Sequence, residues 1–298
     1  MKCPAAVLAV AVLASATAAQ PAPPVAAPAD CNLQIKQSLE LEYDLSGRVT
    51  VPVTFNGRPH RMLVDTGDYY SIISAHAARA LGLKIQYTSN FMLQGWGGWP
   101  VRQVTDVSEF GLGRLKSPNT PFMVLNEANI SDGLLGADFL YNFDLDFDFA
   151  KAKLNLISPD HCKGKVVYWS KGDYGVVPFE YDTQRKIALS VVLDGKKLNA
   201  VLDTGASVTV MSLETAASLF DWDEDDIVKG RQKPVFASMP FGSVVISHPA
   251  ITLVSDKESV LLGSRQPKMI IGMDVLRRLH LYISYKEKMI YVTPATQY

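Results

Sequence analysis

Met62-Leu63-Val64-Asp65-Thr66-Gly67 recurs as Ala200-Val201-Leu202-Asp203-Thr204-Gly205, with the two aspartates 138 residues apart. In each copy an apolar run, which reads as a strand, delivers a carboxylate onto a Thr-Gly turn. Such a strand holds an acid at a fixed place. Two of them in one chain imply two acids facing each other across a pseudo-two-fold axis.

The flanking sequence shows that the triplets are not coincidence. Asn56-Gly57 precedes Asp65 and Asp194-Gly195 precedes Asp203, each glycine eight residues before its aspartate. Asn-Gly and Asp-Gly between apolar alternations are strong hairpin signals. The alternations are Val49, Val51, Val53, Phe55 and Ile187, Leu189, Val191, Leu193. Ser74 and Ser212 each follow their aspartate by nine residues and open short apolar stretches, Ala75 to Leu83 and Leu213 to Phe220, which read as Ser-capped helices. Leu134-Leu135-Gly136-Ala137-Asp138 and Ile270-Ile271-Gly272-Met273-Asp274 complete the series. Hairpin, triplet, helix and apolar-apolar-Gly-x-Asp recur in one order, an internal repeat of roughly 110 to 120 residues.

This doubled pattern resembles the retropepsin-like and pepsin-like aspartic peptidases, which carry an apolar-Asp-Thr-Gly motif in each lobe and a downstream apolar-apolar-Gly segment behind it. The resemblance covers about Leu45 to Tyr291. It implies an all-β, bilobal acid-protease fold, with two homologous β-barrel lobes, short helices and a cleft between them. It also implies that one polypeptide supplies both acids and acts as a monomer with pseudo-two-fold symmetry.

The chain of 298 residues allows about two domains. The divisions expected are a signal peptide at 1–19, a Pro/Ala-rich tether at 20–44, lobes at 45–158 and 176–298, and a connector at 159–175. Net charge is −1 and no basic run is visible, which argues against a nucleic-acid partner. Lys2, the apolar stretch Ala5 to Leu13 and the small residues Ser15 to Ala19 read as a secretory signal cleaved after Ala18 or Ala19. Nine apolar residues are too few for an uncleaved anchor, and no later run is long enough to span a bilayer. Export to the periplasm or outside the cell is the expectation. Cys3 leaves with the signal, and Cys31 and Cys162 would pair in an oxidising compartment, two unrelated buried thiols being the alternative. Asn129-Ile130-Ser131 is a glycosylation sequon, meaningful only in a eukaryote.

Two acidic stretches read as structure. Asp144, Asp146 and Asp148 alternate with Phe143, Leu145, Phe147 and Phe149, giving a strand with one solvated acidic face. Phe149 and Asn155 stand where a calcium loop needs glycine and glutamate, so the EF-hand spacing fails. Asp221 to Asp226 reads as a solvated loop.

The repeats differ in two places. Gly95-Trp96-Gly97-Gly98 follows the first helix, where the resemblance implies a flap whose glycine backbone closes over substrate. The second repeat offers only Met239-Pro240-Phe241-Gly242 there and is shorter, Val124 lying 59 past Asp65 and Val254 only 51 past Asp203. Ala206-Ser207 follows the second triplet, as the family usually has, but Asp68 and the bulky Tyr69-Tyr70 follow the first. Asp68 is expected at the substrate-facing wall near Asp65.

The resemblance implies peptide-bond hydrolysis with Asp65 and Asp203 catalytic, water activated between them, and no metal or cofactor. Thr66 and Thr204 would lock the lobes across the axis, and Gly67 and Gly205 would leave room for substrate backbone. Rival chemistries lack their motifs. The five histidines (His60, His76, His161, His248, His280) make neither His-Glu-x-x-His nor a zinc cluster. No Gly-x-Ser-x-Gly elbow and no dinucleotide fingerprint is present. Asp68 leaves a second reading open, a non-catalytic peptide-binding protein on the protease scaffold.

Overall fold

The computed structural model describes residues 31–88, 93–94, 100–126, 130–182, 185–256 and 268–295. The signal segment, the stretch from Gln20 to Ala29, the flap residues Gly95, Trp96, Gly97 and Gly98, and Asn129 of the sequon lie outside them. The chain is all-β, with 48% strand and 11% helix.

The first repeat closes into a six-stranded barrel. Val49–Phe55 and Arg58–Val64 form the Asn-Gly hairpin, in which Asn56 and Gly57 have φ of 51° and 78°. Positive φ at both central positions is what a two-residue turn needs to match strand twist. Arg58–Val64 then pairs in parallel with Gly133–Leu135, which pairs with Ile72–Ser74. Ile72–Ser74 pairs with Leu115–Leu125, whose partner Gln103–Leu112 returns to Val49–Phe55 and closes the ring. Phe55, Phe110 and Phe122 fill its interior, with Phe55 and Phe122 edge to face at 5.6 Å. Edge-to-face packing suits the ring quadrupoles and adds to the area these side chains bury.

The second repeat uses the same order: Ile187–Leu193, Lys196–Leu202, Met269–Ile271, Val210–Ser212, Thr252–Val254. Asp194 and Gly195 again have positive φ, 47° and 81°. Both predicted helices are present, Ala75–Ala80 and Leu213–Phe220, and the hydroxyls of Ser74 and Ser212 accept from Ala77 N and Thr215 N. In the stretch where the first repeat has its glycines, the second has the antiparallel pair Ser238–Phe241 with Val244–Ser247. It is anchored to the body of its own half, since Asp194 accepts from Ala237 N and Ser238 N.

The two repeats share one sheet. Ile35–Glu40, Lys153–Ile157, Asp144–Asp148, Leu279–Ser284, Met289–Pro294 and Gly175–Tyr181 run side by side, so strands from both ends of the chain are interleaved. Ile35–Glu40 lies in the stretch expected to be tether, and it is a paired strand. The segment before Val166 is tied down by the Cys31–Cys162 disulfide, with Cα atoms 4.9 Å apart and a sequence separation of 131. The loop-entropy model assigns such a crosslink up to ~4–5 kcal/mol.

The acidic strand is not solvated. Asp144 and Asp146 are fully buried and Asp148 nearly so. His161, from the connector, lies 2.6 Å from Asp144 Oδ2, and the Tyr282 hydroxyl donates to the same oxygen at 3.1 Å. Asp146 meets His280 at 2.6 Å and accepts from Tyr168 and Asn155. Trp169 covers His280 in a parallel stack at 4.2 Å. The connector folds over the strand and supplies partners, which is what permits a buried carboxylate. Glu224–Val228, expected as loop, forms an exposed helical turn capped by Asp223. Its acids sit at the helix start, where the backbone dipole favours them.

Candidate active site

Each repeat positions its acid in the same way. Asp65 continues the Arg58–Val64 strand, and its N–H donates to Leu135 O at 3.0 Å, a strand bond past the end of the ladder. Asp203 continues Lys196–Leu202 and donates to Ile271 O at 3.0 Å. The chain then turns tightly enough for the carboxylate to accept from its own turn. Asp65 Oδ1 takes the N–H groups of Gly67 and Asp68, both at 2.9 Å. Asp203 Oδ1 takes those of Gly205 at 2.8 Å and Ala206 at 3.2 Å.

The threonines join the halves. Thr66 N donates to Thr204 Oγ1 and Thr204 N to Thr66 Oγ1, both at 3.1 Å. Thr66 Oγ1 donates to Leu202 O at 3.1 Å and Thr204 Oγ1 to Val64 O at 2.7 Å. Both side chains are buried. Each hydroxyl thus both accepts from and donates to the strand end of the opposite half, and four buried backbone groups are satisfied across the axis.

Each glycine abuts the opposing acid. A Cβ on Gly67 would lie 2.2 Å from Asp203 Cγ, and one on Gly205 would lie 2.3 Å from Asp65 Oδ2. Only hydrogen at these positions lets the two carboxyls meet. Each carboxyl packs against the other's turn, close enough for the two acids to act on one another.

A second ring of contacts was not anticipated. Ser71 Oγ donates to Asp138 Oδ1 at 2.6 Å, and Ser71 N to Asp138 Oδ2 at 2.9 Å. Thr209 Oγ1 and N both donate to Asp274 Oδ1, at 2.6 and 2.9 Å. Gly136 N and Gly272 N close each ring by donating to those hydroxyls at 3.0 Å. The crossing segment also binds the catalytic turn directly, Ala137 N to Asp68 O at 3.0 Å and Met273 N to Ala206 O at 2.8 Å. A signal existed: a hydroxyl residue stands six past each aspartate, and an acid two past each glycine.

Burial raises the carboxyl of Asp65 well above the ordinary carboxylate range, and the charges of Asp203 and Asp68 push it further. Burial also raises Asp203, against the pull of Lys186 and its own turn N–H groups. Asp68 lies close enough to act on Asp65, as expected of it. Its own carboxyl is raised by burial, opposed by Lys186 and by the N–H groups of Tyr69 and Tyr70. Two like acids in contact, both pushed up, hold one proton between them over a wide pH range.

Leu93–Gln94 and Pro100–Val101 pair antiparallel on either side of the glycine stretch. A pocket of about 260 Å³ lined by Phe110, Leu115, Phe139 and Phe143 shares none of its walls with the dyad. Among the described residues no helix is long and apolar enough to cross a membrane.

Residues 51–142 match the family described as gag-polyprotein putative aspartyl protease. No curated protein matches the chain.

Proposed function

From a chain that the match over residues 51–142 places in the retropepsin-like aspartic peptidase family, we infer an exported aspartic endopeptidase that uses Asp65 and Asp203 as a catalytic dyad. The observation that carries this reading is the meeting of the two carboxyls over glycines that leave no room for a Cβ. The dyad is embedded in crossed threonine hydrogen bonds.

The chemistry follows from one shared proton. The ionised carboxylate takes a proton from water while the water oxygen attacks the carbonyl carbon of the scissile peptide. The protonated carboxyl gives its proton to the carbonyl oxygen, leaving a tetrahedral diol. The dyad proton then passes to the leaving nitrogen, a diol hydroxyl returns its proton to the other carboxylate as the C–N bond breaks, and the dyad is again singly protonated. Asp68 works in the favour of this cycle near neutral pH, because its charge keeps the proton on Asp65.

Two lobes, 45–158 and 176–298, joined by 159–175, would act as one monomer, with Ile35–Glu40 belonging to the shared sheet. The Cys31–Cys162 bond suits an oxidising compartment, periplasmic or extracellular. The test is incubation of the purified protein with a diverse peptide mixture from about pH 3 to about pH 8, with and without a statine-type inhibitor that mimics the diol. Inhibitor-sensitive cleavage supports the reading. Peptide binding with no cleavage at any pH would make the chain a binding protein on this scaffold, with Asp68 the feature that sets it apart.

A further inference from the structure

The first strand pair of each half ends in the same turn. Asp44 N donates to Arg48 O, and Arg48 N to Asp44 Oδ1, both at 2.9 Å. Asp182 N donates to Lys186 O at 3.2 Å, and Lys186 N to Asp182 Oδ1 at 2.9 Å. The two turns stand 138 residues apart, the dyad's own offset, and each closes on a basic residue. Their cations are used differently. The Arg48 guanidinium folds back onto Asp44 Oδ2 at 2.8 Å, within its own turn.

The second turn is directed at the other half. The Arg185 guanidinium lies 5.7 Å from the centre of the Tyr69 ring, which packs edge-on against Tyr70 at 4.7 Å. Tyr181, at the base of this turn, packs on Tyr141 of the first half at 5.6 Å. Tyr69 directly follows Asp68. Arg185 and Tyr181 therefore lie against the first half beside the loop that leaves Asp65, and the half-buried Lys186 follows Arg185 directly.

We propose that Lys186 is a positioning residue of the dyad: opposite Asp68, it fixes the negative charge on Asp203 and leaves the shared proton on Asp65. The proposal rests on the dyad reading above and adds to it a direction. Backbone hydrogen bonds cannot supply that direction, since each carboxylate accepts from two N–H groups of its own turn. The two catalytic turns differ in charge at one position, Asp68 against Ala206. Asp68 acts on Asp65 by repulsion, while Lys186 acts on both Asp203 and Asp68 by attraction. An anion on Asp203 is favoured by the cation, and a proton on Asp65 is favoured by the neighbouring anion. Asp203 is then the base that activates water, and Asp65 the acid that protonates the carbonyl oxygen.

The experiment is carbon NMR of protein labelled at the aspartate carboxyls, with Asp65 and Asp203 assigned through their Asn variants. In the wild type, the lower titration step of the pair is expected mainly on the Asp203 carbon. Lys186→Met should move that step up by about one pH unit, the lower end of what a nearby opposite charge does. Lys186→Arg should keep it in place, and thermal melts of both variants check that the fold is intact. The acid limb of kcat/KM should move with the NMR step. A lower step carried by the Asp65 carbon, or one unmoved in Lys186→Met, overturns the proposal. The NMR result needs no turnover, so a protein that titrates this way yet cleaves nothing would refute the peptidase reading and leave the charge assignment standing.

Discussion

The two halves of the molecule agree partner for partner behind the dyad and disagree in front of it. Behind it, Thr66 mirrors Thr204, Ser71–Asp138 mirrors Thr209–Asp274, and the crossing strands pair in the same register. In front of it, Asp68, Tyr69 and Tyr70 oppose Ala206, Ser207 and Val208. The strand pair Leu93–Gln94 and Pro100–Val101 of the first half has a counterpart in the second that is bonded to its own barrel. The difference separates two requirements. Symmetry is kept where two carboxyls must be held in register, and lost in the residues that follow the first triplet, where the charge differs.

The glycines offer the sharpest way to break the symmetric part. Gly67→Ala and Gly205→Ala each place a methyl group inside the opposing carboxyl, so the acids must separate. Displacement of a reacting group by about 1 Å costs on the order of 100-fold in rate. Peptide turnover by either variant should fall at least that far, and by similar amounts. A large loss in only one would show that the halves are not equivalent at the dyad.

Thr204→Val tests the lock itself. It removes the acceptor for Thr66 N and the donor to Val64 O. Each buried group left without a partner costs about 1–3 kcal/mol. Denaturant melts should show a loss of about 2 kcal/mol or more, and Thr66→Val should match it. A neutral result would mean the threonines do not join the halves.

How far these features were legible in the sequence depends on their range. Asn56-Gly57, Asp194-Gly195 and the caps Ser74 and Ser212 are local, their backbone geometry being fixed by neighbours in the chain, and all were readable. The all-β, two-lobed architecture was implied by the resemblance that the doubled pattern carries. The partners of Asp138 and Asp274 were missed although both hydroxyls recur at a fixed offset, because a side-chain bond across 65 or more residues has no local signature. The strand Asp144–Asp148 was misread for a related reason. Alternation alone cannot tell a solvated acidic face from one covered by His161, Tyr168 and Trp169 of a later segment. That Gly67 and Gly205 abut the opposing acid is a contact between residues far apart in sequence, with no local signature.

The asymmetric part should respond to charge alone. Asp68→Ala removes an anion beside Asp65, so Asp65 loses its proton at lower pH and the alkaline limb of activity should move toward acid, by about one unit or less. If preference for basic side chains fades instead and the limb stays, Asp68 binds substrate and does not tune the dyad. Ala206→Asp, the mirror change, should move the profile toward alkali.

The smallest effect expected is on stability against pH. Asp65, Asp68, Asp138, Asp144 and Asp203 are all raised by burial in the folded protein. A carboxyl with a raised folded pKa stabilises fully below its unfolded value of about 3.9, and that contribution is lost as pH rises through the folded value. Thermal melts should therefore show a higher Tm near pH 5 than near pH 8. A Tm that climbs toward alkali would contradict the burial seen at these acids.

The most direct test of the central claim is peptide hydrolysis by Asp65→Asn and Asp203→Asn beside the wild type, on one cleaved peptide and at the wild-type optimum. Asn keeps the shape of the site but cannot share a proton. The account predicts that each variant alone loses on the order of 1,000-fold or more in kcat/KM, with the fold intact and Tm at neutral pH unchanged or raised. Substantial hydrolysis by either single variant would contradict it.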